Sequence, residues 1–206
     1  MTTITTLPAL RELYAPVNPR SALKELPQLD AHATRFIGLS PFVVMSSYGA
    51  DGRADTSPRG GDAGFVKVVD NGTLLIADSP GNNRLDTLEN IIAMGQVGLL
   101  FMVPGVDETL RVNGTAVLST DATECKLCED SRRVTTLVIR VNVHASYLHC
   151  AKALMRSDLW NVDKHLDRSL LPSMGEMMRD QMAGKLPTET VFETQEQMLL
   201  RYQQTL

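Results

Sequence analysis

A surplus of basic residues, cysteine and long apolar runs are what this 206-residue chain has least of. Lysine and arginine number 20 against 24 aspartates and glutamates, a formal charge of −4. That balance argues against a nucleic-acid partner, which calls for a clustered positive surface. No apolar stretch approaches the ~20 residues that a membrane-spanning helix needs, so no membrane partner is expected. Three cysteines, an odd number, do not make a disulfide framework, and a reducing cytoplasm is the expected compartment. The opening "MTTITTLPALRELYAP" has no basic region followed by an apolar run, so no secretory signal is expected. Fixed-period repeats and low-complexity tracts are missing as well. What remains is the composition of a soluble globular protein, 43% hydrophobic and 21% charged, long enough for one well-buried core with or without a terminal extension.

Residues 7 to 40 carry helix-like spacing broken by Pro16, Pro19 and Pro27, which predicts a short leading helix and another over about 29–38. The pattern then changes to strands. "FVVMSS" (42–47), the turn "YGADG" and "RADTSP" (53–58) read as a hairpin. "FVKVVD" (65–70) and "TLLIAD" (73–78) flank Asn71-Gly72, a strong hairpin signal because both residues accept positive φ. Leu85, Leu88 and Ile92 recur at helical spacing and predict the apolar face of a following helix. "QVGLLFMV" (96–103) reads as a buried strand. "ETLRVNGTAVLST" (108–120) reads as a long strand with a bulge or bend at Asn113-Gly114. Asp121 can cap a short helix through about residue 130, residues 135–150 form the last long strand, and "AKALMRSDLW" a short helix. The Met-rich remainder is helical in pattern and is expected to wrap the barrel or a partner subunit. Six or seven antiparallel strands with few helices predict a mainly β fold, a closed or partly closed barrel rather than a parallel nucleotide-binding sheet. The expected division is a helical N-terminal extension over 1–40, a barrel domain over 41–160 and a helical C-terminal extension over 161–206.

Five segments carry candidate chemistry. In "SPGNNRLD" a strand runs straight into a helix, whose N-terminal N–H groups and partial positive charge favour a phosphate. Asn82 and Asn83 add donors there and Arg84 a forked cation; the alternative is an Asn cap with a solvated arginine. In "TSPRGGDAGF", Gly60, Gly61 and Gly64 let the backbone approach a flat ligand, with Ser57 and Arg59 as donors to ring carbonyls; the alternative is a flexible loop. Arg111 lies inside a strand, where a charge normally faces water. Lys152 and Arg156 fall four apart on one helix face and can clamp an anion, with His149 and Cys150 beside them; a core cysteine and a structural histidine are the plain alternatives. Cys125 and Cys128 form one C-x-x-C, half a zinc site or a redox pair at most, and otherwise two ordinary thiols on a short helix.

Four segments in series, "TSPRGGDAGFVKV", "TLLIADSPGNNRLDTLENI", "VGLLFMVPGVDETLRVNG" and "YLHCAKALMRSDLW", resemble the pyridoxamine 5'-phosphate oxidase-like FMN-binding split barrels over roughly residues 30–165. The nearest branch is that of FMN-dependent enzymes of unassigned substrate. The resemblance implies a six-stranded antiparallel split barrel, a homodimer with one FMN at each of two interface sites, and an oxidoreductase acting on an unidentified small molecule. The phosphate-holding run of the oxidases falls on Asn82, Asn83 and Arg84. The strand with Ser57, Pro58, Arg59 and Gly60 would lie along the isoalloxazine ring. Arg111 would sit near phosphate or ring, and Lys152, Arg156 and Trp160 would approach from the partner subunit. The oxidases' C-terminal Arg-x-His, which holds pyridoxal substrates, has no counterpart after Trp160, where "KHLDRSL" contains the only histidine. Vitamin B6 oxidation is therefore not expected. The rival readings are a non-catalytic flavin-binding or sensory protein on the same fold and, behind it, a haem or F420 binder; four scattered histidines offer haem no dedicated axial ligand.

Overall fold

The computed structural model describes residues 3–130, 134–187 and 189–204. Two short helices, α1 (Leu7–Arg11) and α2 (Pro19–Leu23), lead into α3 (Ala31–Leu39), each started by a polar cap: Thr6, Asn18 and Asp30. Next come β1 (Phe42–Tyr48), β2 (Ala54–Gly60), β3 (Lys67–Asp70) and β4 (Thr73–Ala77). After these follow α4 (Asp86–Ala93), β5 (Gln96–Met102), β6 (Thr109–Ser119), α5 (Ala122–Leu127) and β7 (Val138–His149). The C-terminal part holds α6 (Lys152–Ser157), two single 3-10 turns, α7 (Met174–Gln181) and α8 (Gln195–Gln203). Residues 205–206, the end of the predicted terminal helix pattern, lie outside the described residues.

The seven strands form one antiparallel sheet in the order β2-β1-β5-β6-β7-β4-β3. The fold is therefore mainly β, as expected, with seven strands in place of six and with β2 and β3 at the two ends of the hydrogen-bonded order. Alternation sets the inner face. Val43 and Met45 of β1, Val97, Leu99 and Phe101 of β5, Leu110 and Val112 of β6, and Val141 of β7 are buried together with Ile37 of α3 and Leu88 and Ile91 of α4. Each large apolar side chain removed from water in this way contributes about 1.5–3 kcal/mol. β4 departs from alternation because it is covered on both sides. Leu74 and Ile76 join the main core, while Leu75 packs with Cys125, Cys128 and Val138 under α5. The C-x-x-C thiols are thus core residues, and the described residues contain no cluster of His, Cys, Asp and Glu able to hold a metal.

Several local expectations are corrected. The hairpin at Asn71-Gly72 forms, but neither residue takes positive φ; the Asp70 carboxylate accepts the Gly72 N–H at 2.8 Å and the β3–β4 register shifts beside it. The buried face of α4 is Thr87, Leu88 and Ile91, whereas Leu85 and Ile92 are 49% and 75% exposed. Helical spacing alone could not choose between two adjacent stripes, because the helix begins one residue after Leu85. The "TSPRG" segment is strand to Gly60 rather than loop. The bulge at Asn113-Gly114 is present, and a Cβ on Gly114 would fall 2.0 Å from the Asn142 carbonyl oxygen. Helices α6, α7 and α8 bury no residue fully, so the C-terminal part is not a buried layer over the sheet.

Candidate functional site

Strand β2 lies at the sheet's end, paired among the described residues only with β1, a position that tolerates Pro58 because one backbone edge needs no partner. Its side chains alternate, with Asp55, Ser57 and Arg59 half-buried and Thr56, Pro58 and Gly60 exposed on the other face. The Asp55–Ser57–Arg59 row meets the segment leaving β4 and the first turn of α4. Together they enclose a cleft of about 320 Å³ whose rim is completed by residues 78–88.

The floor of the cleft is a chain of hydroxyls and one carboxylate. The Thr87 hydroxyl donates to Asp55 Oδ2 at 2.7 Å. Having one proton, it accepts from Ser57 Oγ at 3.0 Å. Ser47 Oγ donates to the same Asp55 oxygen at 3.5 Å and accepts from Asn90 Nδ2 at 3.0 Å. This network ties β1 and β2 to α4. Arg59 Nη1 reaches Asp78 Oδ1 at 3.2 Å, with the two side chains 19% and 26% exposed, while Arg59 Nε is buried without a partner.

The approach to α4 is built by backbone strain. Asn82 Oδ1 accepts the Arg84 N–H at 3.1 Å, a turn made by the side chain itself. Asn83 and Leu85 both take left-handed φ, 58° and 61°. That region suits asparagine and disfavours leucine by about 1–2 kcal/mol. Leu85 then occupies the cap position of α4, and no side chain caps the first turn. The N–H groups at that end therefore face the cleft region without the usual side-chain acceptor. Of the plain alternative, an asparagine cap on α4 is not present, whereas the solvated arginine is, since Arg84 is largely exposed. Arg84 lies at the rim, its Nε 2.8 Å and Nη2 3.4 Å from the two oxygens of Asp86. The hydrogen bond and charge of Asp86 raise the pKa of that guanidinium further above neutrality.

Of the residues singled out in the sequence, Ser57, Arg59, Asn82, Asn83 and Arg84 are brought together here. Pro58, Gly60 and Arg111 are not. They share the outward sheet face, where one register row runs Pro58, Val44, Leu100, Arg111 and Tyr147 across five strands. Arg111 Nη1 donates to the Tyr147 hydroxyl at 2.8 Å, and Lys24 Nζ stands 5.2 Å from the centre of the same ring. His149 lies against Tyr147, with ring centres 5.2 Å apart and its Nε2 buried without a partner. Burial, and then the charges of Arg111 and Lys24, hold the His149 imidazole below its ordinary pKa. Lys152 and Arg156 are exposed on α6, and the Trp160 indole N–H donates to the Val106 carbonyl at 3.0 Å; none of the three lines the cleft. Cys150 is exposed rather than a core residue.

Four lining residues carry no signal of their own in the sequence reading: Asp55, Asp78, Asp86 and Thr87. Asp55 is within reach of period-two reasoning, since it stands two before Ser57 on the same strand face. Asp78 and Thr87 matter only because the chain folds them against β2.

The model of the family described as pyridoxamine 5'-phosphate oxidase matches residues 29–150, more than half of the chain. None of the curated proteins matches. Among solved structures, HupZ from Group A Streptococcus is 16% identical, with 57% of this chain and 91% of that chain covered and a TM-score of 0.48. A Lactobacillus delbrueckii protein provisionally described as a pyridoxamine 5'-phosphate oxidase is 21% identical, covering 61% and 99%, with a TM-score of 0.48. A Clostridium acetobutylicum protein related to general stress protein 26 is 9% identical, covering 57% and 85%, with a TM-score of 0.45. These structural similarities are too distant to bear on ligand or activity.

Proposed function

Because this chain belongs to the pyridoxamine 5'-phosphate oxidase family, we propose that it binds FMN and works as an FMN-dependent oxidoreductase on a small molecule. The observation that carries the reading is the convergence of Ser57, Arg59, Asn82, Asn83 and Arg84, drawn from two separate segments, on one cleft. The donor set fits a phosphate ester: two guanidiniums, two amides and the uncapped start of α4. A volume of about 320 Å³ lies at the small end of ligand cavities and suits the ribityl phosphate rather than a whole flavin. Bound there, FMN would supply hydride or electron transfer; the protein's share is to anchor, orient and exclude water. Arg84 and the α4 N–H groups hold the phosphate end, and Ser57 Oγ, its proton given to Thr87, accepts from a hydroxyl of the polar part beyond it.

The outward sheet face is read as the surface of a homodimer. It presents Phe42 and Tyr48, 36% and 39% exposed, on the face that carries Arg111, and helices α6–α8 bury no residue within the chain, which suits cover by a second copy. In such a dimer Lys152, Arg156 and Trp160 would reach the flavin from the partner subunit. Oxidation of vitamin B6 is not proposed, since nothing after Trp160 supplies the Arg-x-His pair.

The test is a visible spectrum after incubation with FMN and removal of free flavin. A yellow protein with one FMN per chain is the expected result, and a colourless one overturns the reading. Arg84→Ala should weaken FMN by about ten- to a hundredfold, the worth of a charge-assisted hydrogen bond. Bleaching by NAD(P)H that an added electron acceptor reverses, with continuous NAD(P)H oxidation, supports the enzyme, whereas inertness favours a non-catalytic flavin protein. A Soret band, or F420 fluorescence retained by the protein, would redirect the assignment to those cofactors.

A further inference from the structure

We propose that Asp86 limits the phosphate affinity of the cleft, by competing with the ligand's phosphate for Arg84. The inference rests on the cleft being the phosphate end of a flavin site. Two arginines and three aspartates line the cleft, and each arginine already faces a carboxylate: Arg59 faces Asp78 and Arg84 faces Asp86. The cleft as built is therefore not a positive well waiting for any anion. A ligand must replace a carboxylate that is tethered close by and always present.

The two pairs are not equally replaceable. Arg59 and Asp78 are largely buried and join β2 to the end of β4, so separating them strands charge inside the protein. Arg84 and Asp86 are 72% and 46% exposed, and an exposed pair holds its partners weakly. Arg84 is thus the exchangeable cation and Arg59 the fixed one. A phosphate monoester carries close to two negative charges at neutral pH, and its oxygens match a guanidinium fork as well as a carboxylate does. It can outcompete Asp86. A neutral ligand has nothing to offer Arg84 and leaves the pair closed. The site then selects FMN over riboflavin through Arg84, and Asp86 holds that preference below what Arg84 alone would give. Asp86 is also the first residue of α4, where its own charge suits the helix start, so it returns to Arg84 when the phosphate leaves.

The experiment is equilibrium binding of FMN and riboflavin to the full chain and to Asp86→Asn, Arg84→Ala and the double variant. Asp86→Asn should tighten FMN about three- to fivefold, the order expected for release of an exposed ion pair, and leave riboflavin unchanged. In the Arg84→Ala background the same substitution should give no gain. A gain that persists without Arg84 would mean a general charge effect and overturn the proposal. So would unchanged or weaker FMN binding by Asp86→Asn, or equal tightening of riboflavin, although the flavin reading would stand in each case. Wild-type protein that binds no FMN would remove both. Thermal melts accompany each variant, and Asp86→Ser, which keeps a polar group at the helix start, replaces Asp86→Asn if that variant fails to fold.

Discussion

Arg59 on β2 and Asp78 just beyond β4 meet at 3.2 Å, although β1, β5, β6 and β7 all stand between β2 and β4 in the hydrogen-bonded order. The sheet curls far enough for β2 and the chain leaving β4 to be linked by side chains where, among the described residues, no backbone ladder joins them. The cleft lies in that split, and its two walls are held in place by this pair and by the Ser57–Thr87–Asp55 chain.

Removing Asp78 should therefore cost stability as well as shape. Asp78→Ala leaves the largely buried Arg59 with both Nη1 and Nε unpartnered. A loss of about 1–2 kcal/mol is expected, below the value for a fully buried pair because both groups retain some water. Urea unfolding would show it as a lower midpoint with the slope unchanged.

Gly114 admits no side chain. Its missing Cβ would stand 2.0 Å from the Asn142 carbonyl oxygen, against backbone that cannot swing aside. Gly114→Ala must open the β6–β7 pairing at the bulge, the longest ladder of the sheet. The cost should reach about 3 kcal/mol or more, at the upper end of overpacking effects. Far-ultraviolet melts would report a large fall in midpoint, and a shift under about two degrees would contradict the geometry.

The three thiols should react in two classes. Cys150 is exposed, whereas Cys125 and Cys128 are buried beneath α5. Burial pushes the Cys128 thiol up to about 11, so almost no thiolate is present near neutral pH. A disulfide reagent at pH 7.5 should titrate one thiol rapidly in the native protein and all three after denaturation. Three fast native thiols would place the C-x-x-C outside the core. Because the folded thiol keeps its proton more tightly than the unfolded one, its contribution to stability is complete below about pH 9 and is lost as pH rises through about 11.

His149 should make the fold acid-sensitive. Its folded imidazole is held below the ordinary value by burial, with Arg111 and Lys24 opposing the charged form as well. The unfolded chain, with a histidine near 6.5, takes up the proton that the folded chain resists. Stability is thus full above about pH 6.5 and falls as pH drops through the lower, folded value. Melting temperatures from pH 8 to 5 should decline, and His149→Gln should flatten part of that decline. An identical profile in the variant would exclude His149 as a contributor.

Element positions are largely legible in the chain because they follow from local chemistry. A hairpin pattern predicts β1, apolar length and content predict β5, alternation predicts β7, Asp121 caps α5, and Asn113-Gly114 marks the bulge that the β6–β7 register requires. The stripe on α4 departs from expectation because Leu85 is left-handed and outside the helix, a conformation no propensity assigns to leucine. The site is legible in part for the same reason. Arg59 and Arg84 announce themselves as cations, but their carboxylate partners do not. One of them, Asp78, lies 19 positions from Arg59 and faces it only after the sheet has curled.

The strands, the family to which they belong and the polar turn before α4 are thus written in the order of residues alone. These depend on periodicity, caps and turn residues that act over a few neighbours. Folding in three dimensions sets which face of β2 looks into the cleft, puts Pro58, Gly60 and Arg111 on the other side of the sheet, and gives both cleft arginines an aspartate. Such relationships depend on how strands distant in sequence are paired and curved. Charge in a cleft is a sum over everything folded into it.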